Sequence, residues 1–365
     1  MPTFFDAHLD LAMMAEHGRD MHAPLATCRG TLQPATVTLP SLRDGRVTHC
    51  LATVFTEARP DHADDREWHP YTYPQGDADA AYRCGMRQIK LYHAWHDAGV
   101  IELMPRRGEA NAARERRPFN DESPAHAPLH AGILIECADP IPSPDDVPEW
   151  AALGVIAVGM AWWHQGRYAG GNGSDNAGLT DLGRALIPAL DAANIVHDAS
   201  HLSQRSLDEL LEATDAVVIA SHSNCRALLP GENHRHLTDD AIKEIARRGG
   251  VIGINLVKNF LSSELTVAPP GKNSNQHKPA GEATIDQVCD HIEHVCALVG
   301  DRAHVGLGSD MDGGITADDL PTGIRTPSDL GKILDALNTR GWSPTERDAF
   351  AHENWQRFWR NTPRS

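Results

Sequence analysis

Short apolar segments rich in β-branched residues recur along the whole chain, and eight of them have the length of a β-strand. Several are apolar at every position, not only at alternate positions, as in residues 133–135 (ILI), 217–219 (VVI) and 251–254 (VIGI). Continuous apolarity indicates strands covered on both faces, which is typical of a parallel sheet. The eight predicted strands are Thr3–His8, Thr48–Phe55, Gly132–Glu136, Gly154–Ala161, Ile195–Ala199, Ala216–Ser221, Gly250–Asn255 and His304–Ser309.

Helical patterns lie between these segments, so that strands and helices alternate along the chain. The last helix has the clearest limits, because Thr284 and Gln287 have the spacing of a capping box and Gly300 supplies a C-terminal stop. An alternation of this kind with eight strands predicts an α/β protein with the (β/α)₈ TIM-barrel fold. The predicted helices are residues 77–97, 180–193, 203–213, 238–248 and 284–299.

We predict a single barrel domain over residues 1–365, although a chain of this length also suits two or three domains. Three segments rich in proline, glycine and charge are predicted as long loops of the barrel, because strands continue after each of them. A C-terminal helical segment is predicted to follow the last strand. The loop segments are approximately residues 57–76, 105–130 and 259–282.

Composition and charge argue against several classes of function. The chain has 33 Lys and Arg against 50 Asp and Glu, a net charge of −17, which argues against nucleic acid and anionic membranes as partners. Its seven cysteines include no Cys-x-x-Cys pair, so neither a disulfide framework nor a zinc finger is indicated. The first residues lack the basic and apolar regions of a signal peptide. We therefore expect a cytoplasmic protein.

Five of the eight predicted strands end in a side chain that can bind a metal or move a proton. In barrels of this type the functional residues lie at the C-terminal ends of the strands. Alternation along the first strand places His8 and Asp10 on the same side. A single histidine or aspartate at a strand end is usually structural, but the joint placement predicts a metal site. The other residues at strand ends are Glu136, His201, His222 and Asp310.

The predicted metal ligands are a mixed set of nitrogen and oxygen donors, compatible with Zn, Mn, Fe or Co. One catalytic zinc ion needs only three protein ligands, so five ligands predict two metal ions. A carboxylate can give one oxygen to each ion, which makes Glu136 the predicted bridge, and a bridging water would become the nucleophile. The predicted ligands are His8, Asp10, Glu136, His201 and His222.

Two further segments carry weaker signals. Residues 166–173 are rich in glycine but lack the Gly-Lys-Ser/Thr of a phosphate-binding loop, so they are either a substrate loop or a cluster of turns. Arg235 is an isolated cation in a His-rich loop after the sixth predicted strand. It is either a surface residue or a clamp for a substrate carboxylate, which the arginine fork binds through two parallel hydrogen bonds.

The order of these motifs resembles that of the membrane (renal) dipeptidase family, peptidase family M19, and suits a divergent member of the bacterial type. The resemblance covers nearly the whole chain, and its most specific motif late in the sequence is residues 306–313 (GLGSDMDG). The other matching segments are residues 6–10 (DAHLD), 133–136 (ILIE), 178–181 (GLTD), 198–203 (DASHLS), 221–224 (SHSN), 249–255 (GGVIGIN), 291–294 (HIEH) and 353–355 (ENW).

The resemblance implies a barrel of the metal-dependent hydrolase type that holds two zinc ions. By this resemblance, His8 and Asp10 bind one ion. His201 and His222 bind the other, and Glu136 bridges the two. The family also suggests a homodimer.

The resemblance further implies roles around the metal ions. Asp310 would contact a bridging hydroxide and carry the proton to the leaving amine, and Glu136 would take part in catalysis as the bridge. Arg235 would bind the C-terminal carboxylate of a dipeptide, whose second residue is often a D-residue in this family. The predicted substrate-binding residues are Arg235, Trp162, His164 and Asn255.

Two departures from the family pattern lie near the predicted site. Trp162 stands where many members carry a histidine after the fourth strand, so that either His164 or the metal ions alone would stabilise the reaction intermediate. Cys137 and Ala138 stand where the family commonly has a pair of very small residues after the bridging glutamate. Both changes indicate a divergent subfamily and leave open whether its substrate is a simple dipeptide.

The function predicted from the sequence is that of a dinuclear zinc-dependent dipeptidase. One alternative is another metal-dependent amidohydrolase, acting on an N-acyl amino acid, a lactone or a phosphotriester. Phosphotriesterase-like barrels often bridge their metals with a carboxylated lysine after the fourth strand, and no lysine stands there in this chain. A second alternative is a metal-binding homologue without catalytic activity.

Overall fold

The computed structural model describes residues 2–59, 69–109, 127–229, 231, 233–262 and 282–360. Most of the predicted loops 105–130 and 259–282 lies outside the described residues, and the single-domain organisation stays a prediction. The strands of the described part are β1 (Phe4–Leu9), β2 (Val47–Val54), β3 (Glu57–Arg59), β4 (Thr72–Pro74), β5 (Ile101–Leu103), β6 (Leu129–Ile135), β7 (Val155–Gly159), β8 (Val196–Asp198), β9 (Val218–Ile219), β10 (Ile252–Ile254) and β11 (Val305–Leu307).

Eight of these strands form a parallel barrel in the order β1-β2-β6-β7-β8-β9-β10-β11. Asp6 of β1 pairs with Leu307 of β11. A bridge between Ala220 and Ile252 then joins β9 to β10 and closes the barrel. The predicted fold class is confirmed, and each of the eight predicted strands corresponds to a barrel strand whose limits differ by at most three residues.

The three remaining strands were not predicted from the sequence. β3 and β4 pair with each other beside the barrel, and β5 pairs with the start of β6. Each has only three residues, which is too short for a periodic apolar pattern to be recognised. The segment predicted as a loop over residues 57–76 therefore contains two short strands.

The helices of the described part pack around the barrel, and all five predicted helices are confirmed as α3, α5, α6, α7 and α8. The predicted capping box of Thr284 and Gln287 is present, and Gly300 ends that helix in the left-handed region with φ 86°. The helices are α1 (Leu11–Glu16), α2 (Leu39–Asp44), α3 (Ala78–Asp97), α4 (Val147–Ala152), α5 (Asp181–Ala192), α6 (Gln204–Ala213), α7 (Asp239–Arg247), α8 (Ile285–Val299), α9 (Gly331–Thr339), α10 (Pro344–Asp348) and α11 (Asn354–Arg360). Among them, none combines the length and the apolar composition that a membrane crossing requires.

Helix α11 closes the N-terminal end of the barrel. Its residue Trp355 is fully buried, stacks on Phe5 of β1 at 5.9 Å between ring centroids, and donates a hydrogen bond to the carbonyl of Leu307 at 3.0 Å. A Cβ atom at Gly306 would lie 2.4 Å from the indole, so this close approach requires glycine there. Because apolar side chains fill this end, polar chemistry is confined to the opposite, C-terminal end.

Candidate metal centre

Five side chains from four strands meet at the C-terminal end of the barrel. His8 lies on β1 and Asp10 directly follows it, while Glu136 follows β6, His201 follows β8 and His222 follows β9. Each of the five is at most 8% exposed. The structure therefore brings together all the residues that were predicted as metal ligands, because parallel strands in a barrel present their C-terminal ends on one face.

Glu136 lies between two groups of candidate ligands: a first group of His8 and Asp10 and a second group of His201 and His222. Its Oε1 atom is 3.3 Å from Nε2 of His201 and 3.6 Å from Nε2 of His222. Its Oε2 atom is 3.6 Å from Nε2 of His8, which lies 3.8 Å from Oδ2 of Asp10. One carboxylate oxygen thus faces each group, and each group with Glu136 is compact enough to hold a metal ion.

Hydrogen bonds orient both histidines of the second group. Nδ1 of His201 donates to Oδ1 of Asn172 at 2.9 Å. Nδ1 of His222 donates to Oγ of Ser221 at 2.7 Å, because that hydroxyl in turn donates to Asp198. The two Nε2 atoms are left as acceptors only 2.9 Å apart. Two lone pairs at this distance repel each other unless a cation lies against them, so the donors fit a metal ion.

Burial and charge at the centre also fit a cation. Neither ring nitrogen of His8 nor Oε2 of Glu136 makes a hydrogen bond within the described residues. Burial raises the pKa of Glu136 well above its usual value. Burial opposes protonation of His8, but the carboxylates around it, foremost Glu136, outweigh this effect and raise the pKa of His8 to about 10. Burial lowers the pKa of His201 and His222 well below the usual value. The carboxylates therefore draw a positive charge onto His8 when no metal ion is bound, and a divalent ion bound there would supply that charge in place of the proton.

Asp310 follows β11 and faces the same centre. Its Oδ1 atom is 3.9 Å from Nε2 of His8, and its Oδ2 atom accepts a hydrogen bond of 2.8 Å from Nδ2 of Asn255. Burial raises the pKa of Asp310 to about 6. The backbone of Asp310 has φ 59°, a left-handed conformation that is uncommon outside glycine and often marks functional sites. Since His8, His222 and Asp310 are also close enough to hold a metal ion, Asp310 is placed either to move protons or to bind metal.

Asn255 contacts Asp310 and its own chain. Besides the bond to Asp310, its Oδ1 atom accepts a hydrogen bond of 2.7 Å from the backbone of Val257, and its backbone N–H donates to Asn224 at 2.9 Å. Both ends of the Asn255 amide are thus engaged within the protein, and its contact with a substrate stays a prediction.

Two aspartates that sequence reasoning did not assign to the site hold the strand ends in place. Asp6 accepts hydrogen bonds from the backbone and hydroxyl of Ser309, the residue before Asp310. Asp198 accepts the same pair of bonds from Ser221, the residue before His222. One sequence pattern could have identified both aspartates. In each case a serine directly precedes a strand-end residue of the site, and the aspartate lies on the neighbouring strand.

Arg235 lies buried beside the second group of ligands, with 4% exposure. Its guanidinium donates to the carbonyl of His222 at 2.8 Å and to Oγ of Ser223 at 3.1 Å, and its Cζ atom lies 5.2 Å from the ring centroid of Phe260. Within the described residues, Nε of Arg235 has no hydrogen-bond partner. The sequence allowed Arg235 to be either a surface residue or a clamp for a carboxylate, and its burial excludes the surface residue.

Trp162, which follows β7, and Asn172 of the glycine-rich segment both lie beside His201. The ring of Trp162 lies 6.0 Å from that of His201, and Asn172 supplies the hydrogen bond to Nδ1 of His201. His164 is exposed, and its carbonyl accepts a hydrogen bond of 3.0 Å from the backbone of Gly171. The predicted contacts of Trp162 and His164 with a substrate stay predictions, whereas the segment itself contacts a predicted metal ligand.

Replacing Asn172 with leucine is expected to weaken metal binding by about 10- to 100-fold, because His201 loses the acceptor that orients its ring. Asn172→Asp keeps an acceptor at this position and is expected to retain or strengthen binding. Affinity is measured by competition with a chelator. The control is Asn176→Ala, since Asn176 lies on the same loop but its side chain accepts from the backbone of Arg205. Equal affinities in wild type and Asn172→Leu would contradict this role.

The fold and the centre together define a metal-dependent hydrolase of the (β/α)₈-barrel class. Residues 2–364 match the family described as membrane dipeptidase, peptidase family M19, and the chain belongs to this family. The resemblance inferred from the sequence motifs is therefore confirmed, and with it the class of metallohydrolase.

Individual relatives agree with this assignment. A Klebsiella pneumoniae protein described as an uncharacterized protein in the pqqA 5′ region is 29% identical over 223 residues, covering 59% of this chain and 75% of that protein. An uncharacterized dipeptidase of Schizosaccharomyces pombe is 29% identical over 187 residues, 51% of this chain, and the match spans only 41% of the yeast protein. A Rhodobacter sphaeroides metallopeptidase, solved with a phosphinate mimic of the dipeptide L-Ala-D-Ala, has a TM-score of 0.76 at 22% identity, with 98% and 99% of the two chains covered. This likeness shows the shared fold.

Proposed function

We propose that the protein is a dinuclear zinc dipeptidase that hydrolyses free dipeptides, including those with a D-residue at the C-terminal position. The observation that carries the proposal is the position of Glu136, with one oxygen toward His8 and the other toward His201 and His222. Membership of a dipeptidase family supports the reaction class. The net charge of −17 does not oppose an anionic substrate, because distant surface charges are screened at physiological salt.

His8 and Asp10 would hold one ion, His201 and His222 the other, and Glu136 would contact both. Zinc suits this mixed set of imidazole nitrogen and carboxylate oxygen donors. When bound, two such ions supply polarisation of the scissile carbonyl and a water whose pKa is close to neutral.

Asp310 moves the proton in this proposal. Because its Oδ2 atom is held by Asn255, its Oδ1 atom faces the centre. There it accepts a proton from the attacking water and delivers it to the nitrogen of the departing amino acid, which is general acid–base catalysis by one residue. Asn255 fixes the orientation of this carboxylate.

Arg235 binds the carboxylate of the second residue and so selects short substrates with a free C-terminus. The carbonyl of His222 and the hydroxyl of Ser223 orient its guanidinium, and an arginine fork matches a carboxylate through two charge-assisted hydrogen bonds. Fixing the substrate at this end positions its peptide bond over the centre.

The test compares a dipeptide with its C-terminal amide on metal-loaded protein. For wild type we expect efficient hydrolysis of the free dipeptide and much weaker hydrolysis of the amide. Arg235→Met is expected to raise KM for the free dipeptide by about 10- to 100-fold, the loss expected for hydrogen bonds between charged groups, with little effect on the amide. Arg235→Lys keeps the charge without the fork and is expected to fall between the two.

Metal content, measured by elemental analysis, controls for displacement of His222 in the Arg235 variants. L,L- and L,D-dipeptides are compared in the same assay. If N-acetyl amino acids are hydrolysed and dipeptides are not, the protein is an amidohydrolase of the alternative kind. If two metal ions bind and none of these substrates is hydrolysed, the dipeptidase proposal is wrong.

A further inference from the structure

A small cavity opens beside the metal centre, between the segments that follow β2, β6 and β7. Its volume is about 20 Å³, and its walls include Thr56, Cys137, Trp162 and Trp163. A space of this size holds about one water molecule. The ring of Trp162, which borders the cavity, lies 6.0 Å from the ring of His201, so the cavity lies next to the centre at this indole.

The position of the cavity relative to Arg235 relates it to one end of the substrate. This step rests on the proposed function, in which Arg235 binds the C-terminal carboxylate. Arg235 belongs to the segment after β9, which is four strands from β2, three from β6 and two from β7 around the barrel. A dipeptide held at Arg235 with its peptide bond at the centre therefore directs its first residue toward the cavity.

The tryptophan wall of the cavity is fixed by its neighbours. The ring of Trp162 packs against Phe55 at 5.2 Å. A Cβ atom at Gly171 would lie 2.2 Å from the carbonyl oxygen of Trp162, and one at Gly173 would lie 2.3 Å from the indole of Trp163. Both positions therefore require glycine, because the loop backbone packs against the carbonyl of Trp162 and the indole of Trp163. The Trp163 indole cannot move aside without displacing the loop, whereas the Trp162 indole is held by the rings of Phe55 and His201, the latter at 6.0 Å.

The opposite wall is equally constrained. Asp139 accepts hydrogen bonds from the hydroxyl of Tyr73 at 2.7 Å and from the backbone of Arg167 at 2.8 Å. Arg167 also donates to the carbonyls of residues 139, 141 and 142. These bonds join the segment after β6 to the start of the glycine-rich loop, so the cavity cannot widen on this side without breaking them.

We propose that Trp162 makes the enzyme selective for dipeptides whose first residue is glycine or alanine. A hydrogen atom or a methyl group fits the cavity, whereas a larger side chain has to displace the Trp162 indole from its packing against Phe55. Steric misfits of this kind in a binding pocket reduce kcat/KM by about 10- to 200-fold.

The test is a series of dipeptides that share alanine as the second residue and carry glycine, alanine, leucine or phenylalanine first. In wild type we expect kcat/KM for Ala-Ala to exceed that for Phe-Ala by about 100-fold, and in Trp162→Ala by less than about 5-fold. Trp162→Phe, which keeps an aromatic ring, is expected to lie between them and serves if the alanine variant does not fold. Wild-type protein that hydrolyses Phe-Ala as fast as Ala-Ala would overturn the proposal.

Two controls separate this proposal from the function on which it rests. A second series varies the second residue after a constant alanine, and its preferences are expected to be the same in wild type and Trp162→Ala. Binding is measured by calorimetry with two phosphinate dipeptide mimics that differ only in the first side chain, and the same ratio is expected in Kd. Absence of hydrolysis with every dipeptide would contradict both proposals, whereas hydrolysis without a preference at the first residue would contradict only this one.

Discussion

Replacing Glu136 with glutamine is expected to weaken metal binding by at least about 100-fold, because even residues that merely support a ligand contribute 10- to 100-fold. Hydrolysis is expected to be lost with the metal. Glutamine keeps the size of the side chain but removes its negative charge, and its amide nitrogen has no free lone pair to donate to a cation. Glutamine therefore offers an oxygen to only one of the two ligand groups. The other group, either His8 with Asp10 or His201 with His222, loses the carboxylate oxygen that it shares with Glu136 in wild type.

The measurements are the metal content after dialysis and the rise in the free energy of unfolding when metal is added. For wild type, metal at about 100 times its Kd is expected to raise this free energy by about 2.7 kcal/mol for each ion bound, and by less in Glu136→Gln. Glu149→Gln is the matched control, since Glu149 is exposed on α4. Two ions retained in Glu136→Gln with undiminished affinity would rule out a bridging role.

Replacing Asp310 with asparagine is expected to lower kcat by about 10²- to 10⁴-fold, the usual contribution of general acid–base catalysis. The metal content is expected to stay at two ions per chain. Asparagine keeps an oxygen that can accept the hydrogen bond from Asn255, but it cannot take up the proton of an attacking water. The loss is therefore expected in kcat with little change in KM.

The control for Asp310 is Asp318→Asn, because Asp318 is an exposed residue of the segment that follows the same strand and pairs with Arg325. Its kinetics and metal content are expected to match those of wild type. If Asp310→Asn loses an ion together with its activity, Asp310 is a ligand, as its distance to His8 also allows. Unchanged kcat with both ions bound would contradict a role in proton transfer.

The residues of the metal centre were predictable because each stands at the end of an apolar segment. His8, Glu136, His201 and His222 follow four different strands, and a parallel barrel brings all C-terminal strand ends to one face. No knowledge of side-chain packing was needed for this step. The same reasoning explains why Asp310 was found, since it follows the last strand of the barrel.

The hydrogen bonds that orient these residues were not predictable in this way. Asp6 and Ser309 are 303 positions apart, and Asn172 is 29 positions from His201 in a segment whose glycines indicated only turns. Asn255 was predicted to contact the substrate, yet its amide is engaged with Asp310 and Val257. Such contacts depend on the closure of the barrel and on loop conformations, which no periodic pattern encodes.

The amino-acid sequence by itself determined the barrel, the set of candidate ligands and the family. These properties follow from apolar periodicity and from residue types at strand ends, which are local along the chain. Only the tertiary structure decided that Glu136 presents one oxygen to each ligand group, that Arg235 is buried, and that Trp162 borders a cavity of about 20 Å³. Those properties depend on distances between residues far apart in the chain, which are set only when the strands pair and the loops pack against them.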